Sequence, residues 1–474
     1  MSPKPSLRIG LLALHWGFFD TIMPPDFRRE KETMSRKVVE FLSAFGSVIY
    51  DGLIIDEASG RSHGELFREQ GVDCVVVFVH MATPGAFPWE ALREFKAPIL
   101  VWNAHLEATI PDSYDMPDLC RKSSNVGALM LTNVLLRNGR RFELVTGVYE
   151  DPAPRLRVGV FLRAAAAHAR LRRARIGVLG GSPIPGYLDV EVDPVRLEKE
   201  LGVRCIFCPR ECWLEHVEAI ASKDVISLAT ESKRRFKLIK IKDDELERSC
   251  RVALALELWM DEESLDAATV NCHTNYFRQE PRVGVVACLA ASRLTTAGRP
   301  VACTGDILTT IAMLIGKALG AAVLYCECDL IDYQKNTMAM ANTGECDYTL
   351  CHREEDIHLL SNLHFGSAGT CGQGACHFLR IAPGAATLIG FSPNAFARGG
   401  WSLIAAPGVI RGTIHDRLTV GNCEFEFERQ PVVEAFNAWA KAGAAHHGAL
   451  STGDLREELV LLAGLMEIEG ALIV

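Results

Sequence analysis

Arg8-Ile9-Gly10-Leu11-Leu12, near the start of the chain, is echoed by Arg175-Ile176-Gly177-Val178-Leu179-Gly180-Gly181. Each is a short apolar run that ends in a loop, and each opens an alternation of strand and helix. After the first, strands are expected at Val48–Tyr50, Cys74–Val79 and Ile99–Val101. Polar segments of helical period, such as Arg28–Ala44 and Ser62–Glu69, separate them. After the second, Glu191–Leu201 reads as a helix, Val203–Phe207 as a strand, and Ser222–Leu228 follows. This is the pattern of two Rossmann-like, doubly wound α/β domains. The Arg- and Ala-rich run Arg155–Arg173 reads as a connecting helix whose charge is a solvated face.

Beyond about residue 300 the texture changes. Short β-rich runs (Ala322–Cys326, Ala386–Gly390, Leu403–Ala405, Val409–Ile414, Leu418–Val420, Glu424–Glu428) are punctuated by glycine and proline. Helices at Ile307–Leu319 and Pro431–Ala442 accompany them. The fold class expected is therefore α/β: two Rossmann-like domains (1–154 and 155–300), then a β-rich, barrel-like C-terminal domain (301–474).

The 474 residues are 49% hydrophobic and 23% charged, with a formal net charge of −9. Such a composition is that of an ordinary globular protein and argues against a broad nucleic-acid footprint. The apolar stretch Ile307–Tyr325 is interrupted by Thr309, Thr310, Gly316 and Lys317, so no membrane span is expected. Sixteen cysteines without a secretory signal predict reduced thiols and a cytoplasmic protein. Cys205, Cys208 and Cys212 have ligand-like spacing, but no second pair follows, so they read as structural thiols. Gly180-Gly181-Ser182 is too little for a nucleotide site, since neither repeat has a GxGxxG fingerprint.

Four segments of the C-terminal third carry groups with chemistry. They are Cys303-Thr304-Gly305-Asp306 at the start of a helix, Glu327-Cys328-Asp329-Leu330-Ile331-Asp332 after a strand, His352 after the strand-like Tyr348–Cys351, and His446-His447. Histidines with carboxylates suit a divalent ion such as Mn²⁺, with positions left open for substrate oxygens. The plainer alternative keeps Asp306 as a helix cap, Asp329 and Asp332 as turn residues, and His352 as a satisfied histidine.

These segments resemble the superfamily of L-fucose isomerase and L-arabinose isomerase. Gly443–Gly453 is similar to its segment bearing the last metal-binding histidine, which the resemblance places at His447. Gly344–His352 is similar to the strand delivering another histidine ligand, which implies His352. Leu330-Ile331-Asp332-Tyr333 resembles the segment of the second acidic ligand, implying Asp332, with Asp329 and Glu327 as alternatives. Phe78–Trp89 and Leu144–Gly147 are similar to N-terminal segments of the arabinose enzymes. The family's first acidic ligand falls on Thr304, whose hydroxyl is a poor Mn²⁺ ligand and no base at neutral pH. Asp306 or Glu327 would take over its task.

The resemblance implies an Mn²⁺-dependent aldose–ketose isomerase acting through a metal-stabilised cis-enediol. Asp306, Asp332 and Glu327 would be its acid/base groups, and Asp329, Asp332, His352 and His447 its metal ligands. His80, Trp89, Asn125 and His446 would contact the sugar. A histidine that contacts sugar in the arabinose enzymes is replaced around Ser123-Ser124-Asn125, so a substrate other than L-arabinose is expected. A homo-oligomer, hexameric by resemblance, is expected too. Another metal-dependent enolisation, by an epimerase or lyase, and a non-catalytic sugar-binding homologue are the alternatives.

Overall fold

A computed structural model describes residues 7–181, 185–342, 345–362, 374–414 and 420–473. The chain divides into two compact units, Met1–Ala169 and Arg170–Val474.

The first unit is built on a parallel sheet. Its neighbours run Gly46–Ile49, Leu7–Leu14, Cys74–Val79, Ile99–His105 and Glu143–Val148, and Leu53–Ile54 also pairs with Leu7–Leu14. Chain order reverses beside Leu7–Leu14, with the next strand on one side of it and Cys74–Val79 on the other. All six residues of Cys74–Val79 are buried. That is why this strand is an unbroken apolar run and does not alternate. The helix expected at Arg28–Ala44 forms at Phe27–Ser43. The one expected at Ser62–Glu69 begins earlier, at Glu57. Asp56 starts it: its carboxylate accepts from the Ser59 amide at 2.8 Å, and the Ser59 hydroxyl accepts from the Asp56 amide in return. The connecting helix forms at Pro152–Leu171.

The second unit holds a parallel sheet of Val301–Cys303, Ala267–Val270, Arg175–Leu179 and Arg204–Cys208. Helix Pro194–Leu201 starts later than expected because Asp193 caps it and Pro194 fits its first turn. A mixed sheet follows, ordered Gly384–Pro393, His447–Thr452, Val323–Asp332, Thr337–Ala341, Asn422–Phe427, Trp401–Gly412 and Glu469–Leu472. Gly384–Pro393 also pairs with Trp401–Gly412, so the pairings of six strands return to where they began.

Ala386–Gly390 and Leu403–Ala405 sit inside these longer strands, and Ala322–Cys326, Val409–Ile414 and Glu424–Glu428 overrun them by one or two residues; of Leu418–Val420, residues 418–419 lie outside the described ones and Val420 is in no strand. Tyr348–Cys351 is not a strand. Asp347 accepts from the amide and hydroxyl of Thr349 at 3.0 and 2.6 Å, which winds Tyr348–Leu350 into a 3-10 turn. Among the described residues no helix is long and apolar enough to cross a membrane.

Candidate metal centre

His447 opens its strand, and antiparallel pairing sets it opposite Glu327 on Val323–Asp332. Directly opposed side chains on one face meet, and Nε2 of His447 lies 3.4 Å from Oε1 of Glu327. The other ring nitrogen is held from behind. Nδ1 is 2.9 Å from Oδ2 of Asp306 and 2.8 Å from the Tyr325 hydroxyl. Asp306, wholly buried, arrives there because Thr304 and Gly305 turn the chain sharply at φ 58° and 80° after Val301–Cys303. Its other oxygen caps helix Ile307–Ala318 by accepting from the Thr309 amide at 2.9 Å. A buried carboxylate on one imidazole nitrogen fixes the ring and leaves the opposite nitrogen facing Glu327.

Burial works to lower the pKa of His447. The hydrogen bonds and charges of Asp306 and Glu327 outweigh it and push the imidazole up to about 9. Without a metal this histidine is a cation between two carboxylates.

His446 packs against His447 with ring centroids 3.7 Å apart and the rings tilted by 40°. Its Nδ1 and amide both bond Asp189, at 2.6 and 2.9 Å, and Tyr187 meets its ring edge-on. Ligand atoms of Glu327, His446 and His447 all lie within 4.8 Å of one another. This mixed nitrogen and oxygen donor set fits a divalent cation.

Glu345 completes the charged surroundings. It is buried, its Oε1 has no hydrogen-bond partner, and it feels the charges of His447 and Glu327. Desolvation pushes its carboxyl up to about 7. At the break in register between Cys328 and Leu330 on the same strand, Asp329 is raised to about 6 by burial and by Glu327.

The structure thus gathers Glu327, His446, His447 and Asp306. Of the other sequence-based candidates in this unit, Asp329 follows Glu327 by two residues on the same strand, while His352 and Asp332 are not part of the cluster. His352 is exposed beyond the 3-10 turn. Asp332 closes a turn by accepting from the amides of Gln334 and Lys335 at 3.0 and 2.9 Å. His80, Trp89 and Asn125 belong to the first unit. His80 is buried, Trp89 packs on that unit's core, and Asn125 accepts from Asn103 and His105, each at 2.8 Å. Glu345 and Asp189 are not among the residues expected from the sequence. For Glu345 a signal existed: Ala341–Leu350 contains no lysine or arginine to pair an acid locally. Asp189 had none.

No protein-family profile matches the chain. It is similar to the L-arabinose isomerase of Yersinia pseudotuberculosis, at 22% identity over 427 residues, covering 86% of this chain and 83% of that protein. The L-arabinose isomerase of Yersinia pestis aligns with the same identity and coverage. The chain is a distant member of the superfamily that contains the L-arabinose isomerases.

Proposed function

We propose that this chain interconverts an aldose and a ketose through a cis-enediol, on a sugar other than L-arabinose itself. Glu327, His446 and His447 would hold a divalent cation such as Mn²⁺. The observation that carries this reading is their meeting on paired strands, in a chain alignable over 86% of its length with L-arabinose isomerases. The closed circuit of strand pairings around them supports a barrel-like C-terminal region.

A divalent ion there supplies Lewis-acid polarisation of a carbonyl and its neighbouring hydroxyl. Asp306 and Tyr325 orient His447, so that its Nε2 serves as a ligand atom. Glu327 and Glu345 are the carboxyl groups placed to take a proton from one sugar carbon and return it to the next. Glu345 does the work of the acidic residue missing at Thr304, whose hydroxyl is 3.1 Å from that of Tyr325.

The test is solvent exchange. Metal-loaded protein is incubated with a panel of aldoses and ketoses in D₂O, and deuterium at C1 and C2 is followed by NMR. The expected result is exchange with isomerisation of one sugar, lost on chelation and in Glu327→Gln. Exchange with epimerisation or cleavage would replace isomerase by another enolising enzyme. A chain that neither binds a divalent ion nor exchanges any C–H would refute it.

A further inference from the structure

Two of the three cysteines with ligand-like spacing meet where a strand runs into a helix. Strand Arg204–Cys208 ends on Cys208, Pro209 follows, and helix Arg210–Ala219 begins. Cys212 is the third residue of that helix, among amides that no carbonyl of the helix engages. Negative charge is favoured at such a position. The first helical turn brings Cys212 back to Cys208, and the two thiols hydrogen-bond. The helix start is anchored: Trp213 is wholly buried and its indole donates to the Tyr276 carbonyl at 3.0 Å. Arg210 donates to the Asn275 carbonyl at 3.1 Å and to Glu280.

The two thiols have different surroundings. Cys212 is partly exposed, whereas Cys208 is buried. Burial foremost, then the charge of Cys212 and the hydrogen bond to it, pushes Cys208 well up, so Cys208 keeps its proton. Cys212 also faces His216, one turn further along the helix. Nδ1 of His216 donates to the Cys212 carbonyl at 2.7 Å and lies 3.8 Å from the Cys212 sulfur. Glu262, at the end of helix Asp243–Glu262, holds Nε2 at 2.9 Å. The N–H at Nδ1 therefore faces the charge that Cys212 carries when it attacks as a thiolate.

A metal does not account for the cluster. Among the described residues, three ligand atoms come within 4.8 Å of one another only at Glu327, His446 and His447. A hydrogen-bonded thiol pair, one member reachable and the other protected, fits thiol–disulfide exchange instead.

We infer that Cys208 and Cys212 are a redox-active dithiol that exchanges with small disulfides, with Cys212 attacking and Cys208 resolving. The Cys212 thiolate bonds to one sulfur of the incoming disulfide, and the other sulfur leaves as a thiolate. Cys208 then bonds to the Cys212 sulfur, its proton passes to solvent or to a leaving sulfur, and the second small thiolate departs. Two protein sulfurs are oxidised to one disulfide, and one small disulfide is reduced to its two thiol halves.

Glutathione disulfide is the probe. The full chain is equilibrated with glutathione mixtures of graded potential, the remaining thiols are alkylated, and the peptides are mapped by mass spectrometry. A Cys208–Cys212 disulfide should form as the glutathione disulfide fraction rises and disappear in excess reduced glutathione. Cys208→Ser should stop the reaction at a mixed disulfide on Cys212. Cys212→Ser should leave Cys208 unmodified, and this partly exposed position keeps the test open if Cys208→Ser does not fold. His216→Gln should slow alkylation of Cys212 by iodoacetamide about tenfold, with the urea midpoint unchanged. Three results would overturn the inference: Cys212 still reduced in excess glutathione disulfide, a mixed disulfide that forms on Cys208 and not on Cys212, or equal alkylation rates in wild type and His216→Gln.

Discussion

Oδ2 of Asp306 lies 2.9 Å from Nδ1 of His447, joining residues 141 positions apart at a point where both side chains are almost fully buried. The same aspartate caps helix Ile307–Ala318 with its other oxygen. One side chain therefore ties the helix start to the orientation of the imidazole. Asp306→Asn keeps an acceptor for the cap but loses the charge that fixes the ring. Metal affinity should fall about ten- to a hundredfold, as for other partners behind a metal-binding histidine. Asp306→Ala should cost a further roughly 0.5–2 kcal/mol of stability through the lost cap. Calorimetric titration with Mn²⁺ and urea unfolding separate the two effects. Equal metal affinity in wild type and Asp306→Asn would sever the link.

Removing ligands should discriminate between the gathered and the separated residues. Glu327→Gln, His446→Ala and His447→Ala each delete a donor from the cluster within 4.8 Å. Each should abolish the thermal stabilisation that a divalent ion gives to the wild-type chain. His352→Ala should leave that stabilisation intact, because its side chain is exposed beyond the 3-10 turn. Asp332→Asn should also leave it intact, at a cost of about 1 kcal/mol or less for a weakened turn. A metal-induced stabilisation that depends on His352 and not on His446 would reverse the assignment.

The metal-free chain should lose stability as pH rises, in two windows. Glu345 is raised from 4.5 to about 7, so its protonated form is favoured by folding. That contribution is complete below pH 4.5 and disappears as pH rises through about 7. His447 is raised from 6.5 to about 9, so its contribution is complete below 6.5 and disappears as pH rises through about 9. A tenfold difference in proton affinity between the folded and unfolded chain is worth about 1.4 kcal/mol. Urea unfolding of chelated protein between pH 4 and 10 should show both declines. Glu345→Gln should flatten the lower one, and His447→Gln the upper. Parallel curves for wild type and both variants would show that neither carboxyl nor imidazole is perturbed by its surroundings.

The parallel sheets could be read from sequence because buried parallel strands are unbroken apolar runs, as at Cys74–Val79 and Arg175–Leu179. The strand His447–Thr452 could not. Ser451 lies against Gly316 of helix Ile307–Ala318 and Gly448 lies against Leu388 and Trp439, and such small residues carry no strand pattern. The histidine pair was visible as a local oddity, yet its partners depend on register. Only the pairing of Glu327 with His447 selects Glu327 over Asp329 and Asp332, and residues two apart along a strand look equally good in a sequence. His352 was attractive for the converse reason. Residues 348–351 have strand-like composition, but the Asp347 side chain on Thr349 and the Thr296 hydroxyl on the Tyr348 amide hold Tyr348–Leu350 in a 3-10 turn.

Gly316 sets how closely the capped helix approaches the strands that carry the centre. A Cβ there would lie 2.5 Å from Oγ of Ser451 and 2.7 Å from Cγ1 of Val323, two residues paired directly across the sheet. Alanine would favour the helix by about 1 kcal/mol. Overpacking a well-filled contact costs about 1–3 kcal/mol, and two neighbours are violated here. Gly316→Ala should therefore be destabilising, contrary to its propensity. Lifting the helix would also draw Asp306 away from His447, so Mn²⁺ affinity should fall with stability. Adding Ser451→Ala removes the nearest atom and should recover part of both losses. Gly316→Ala that unfolds at higher urea than wild type would show that helix and sheet have room to spare, and that Asp306 is not held in place by this contact.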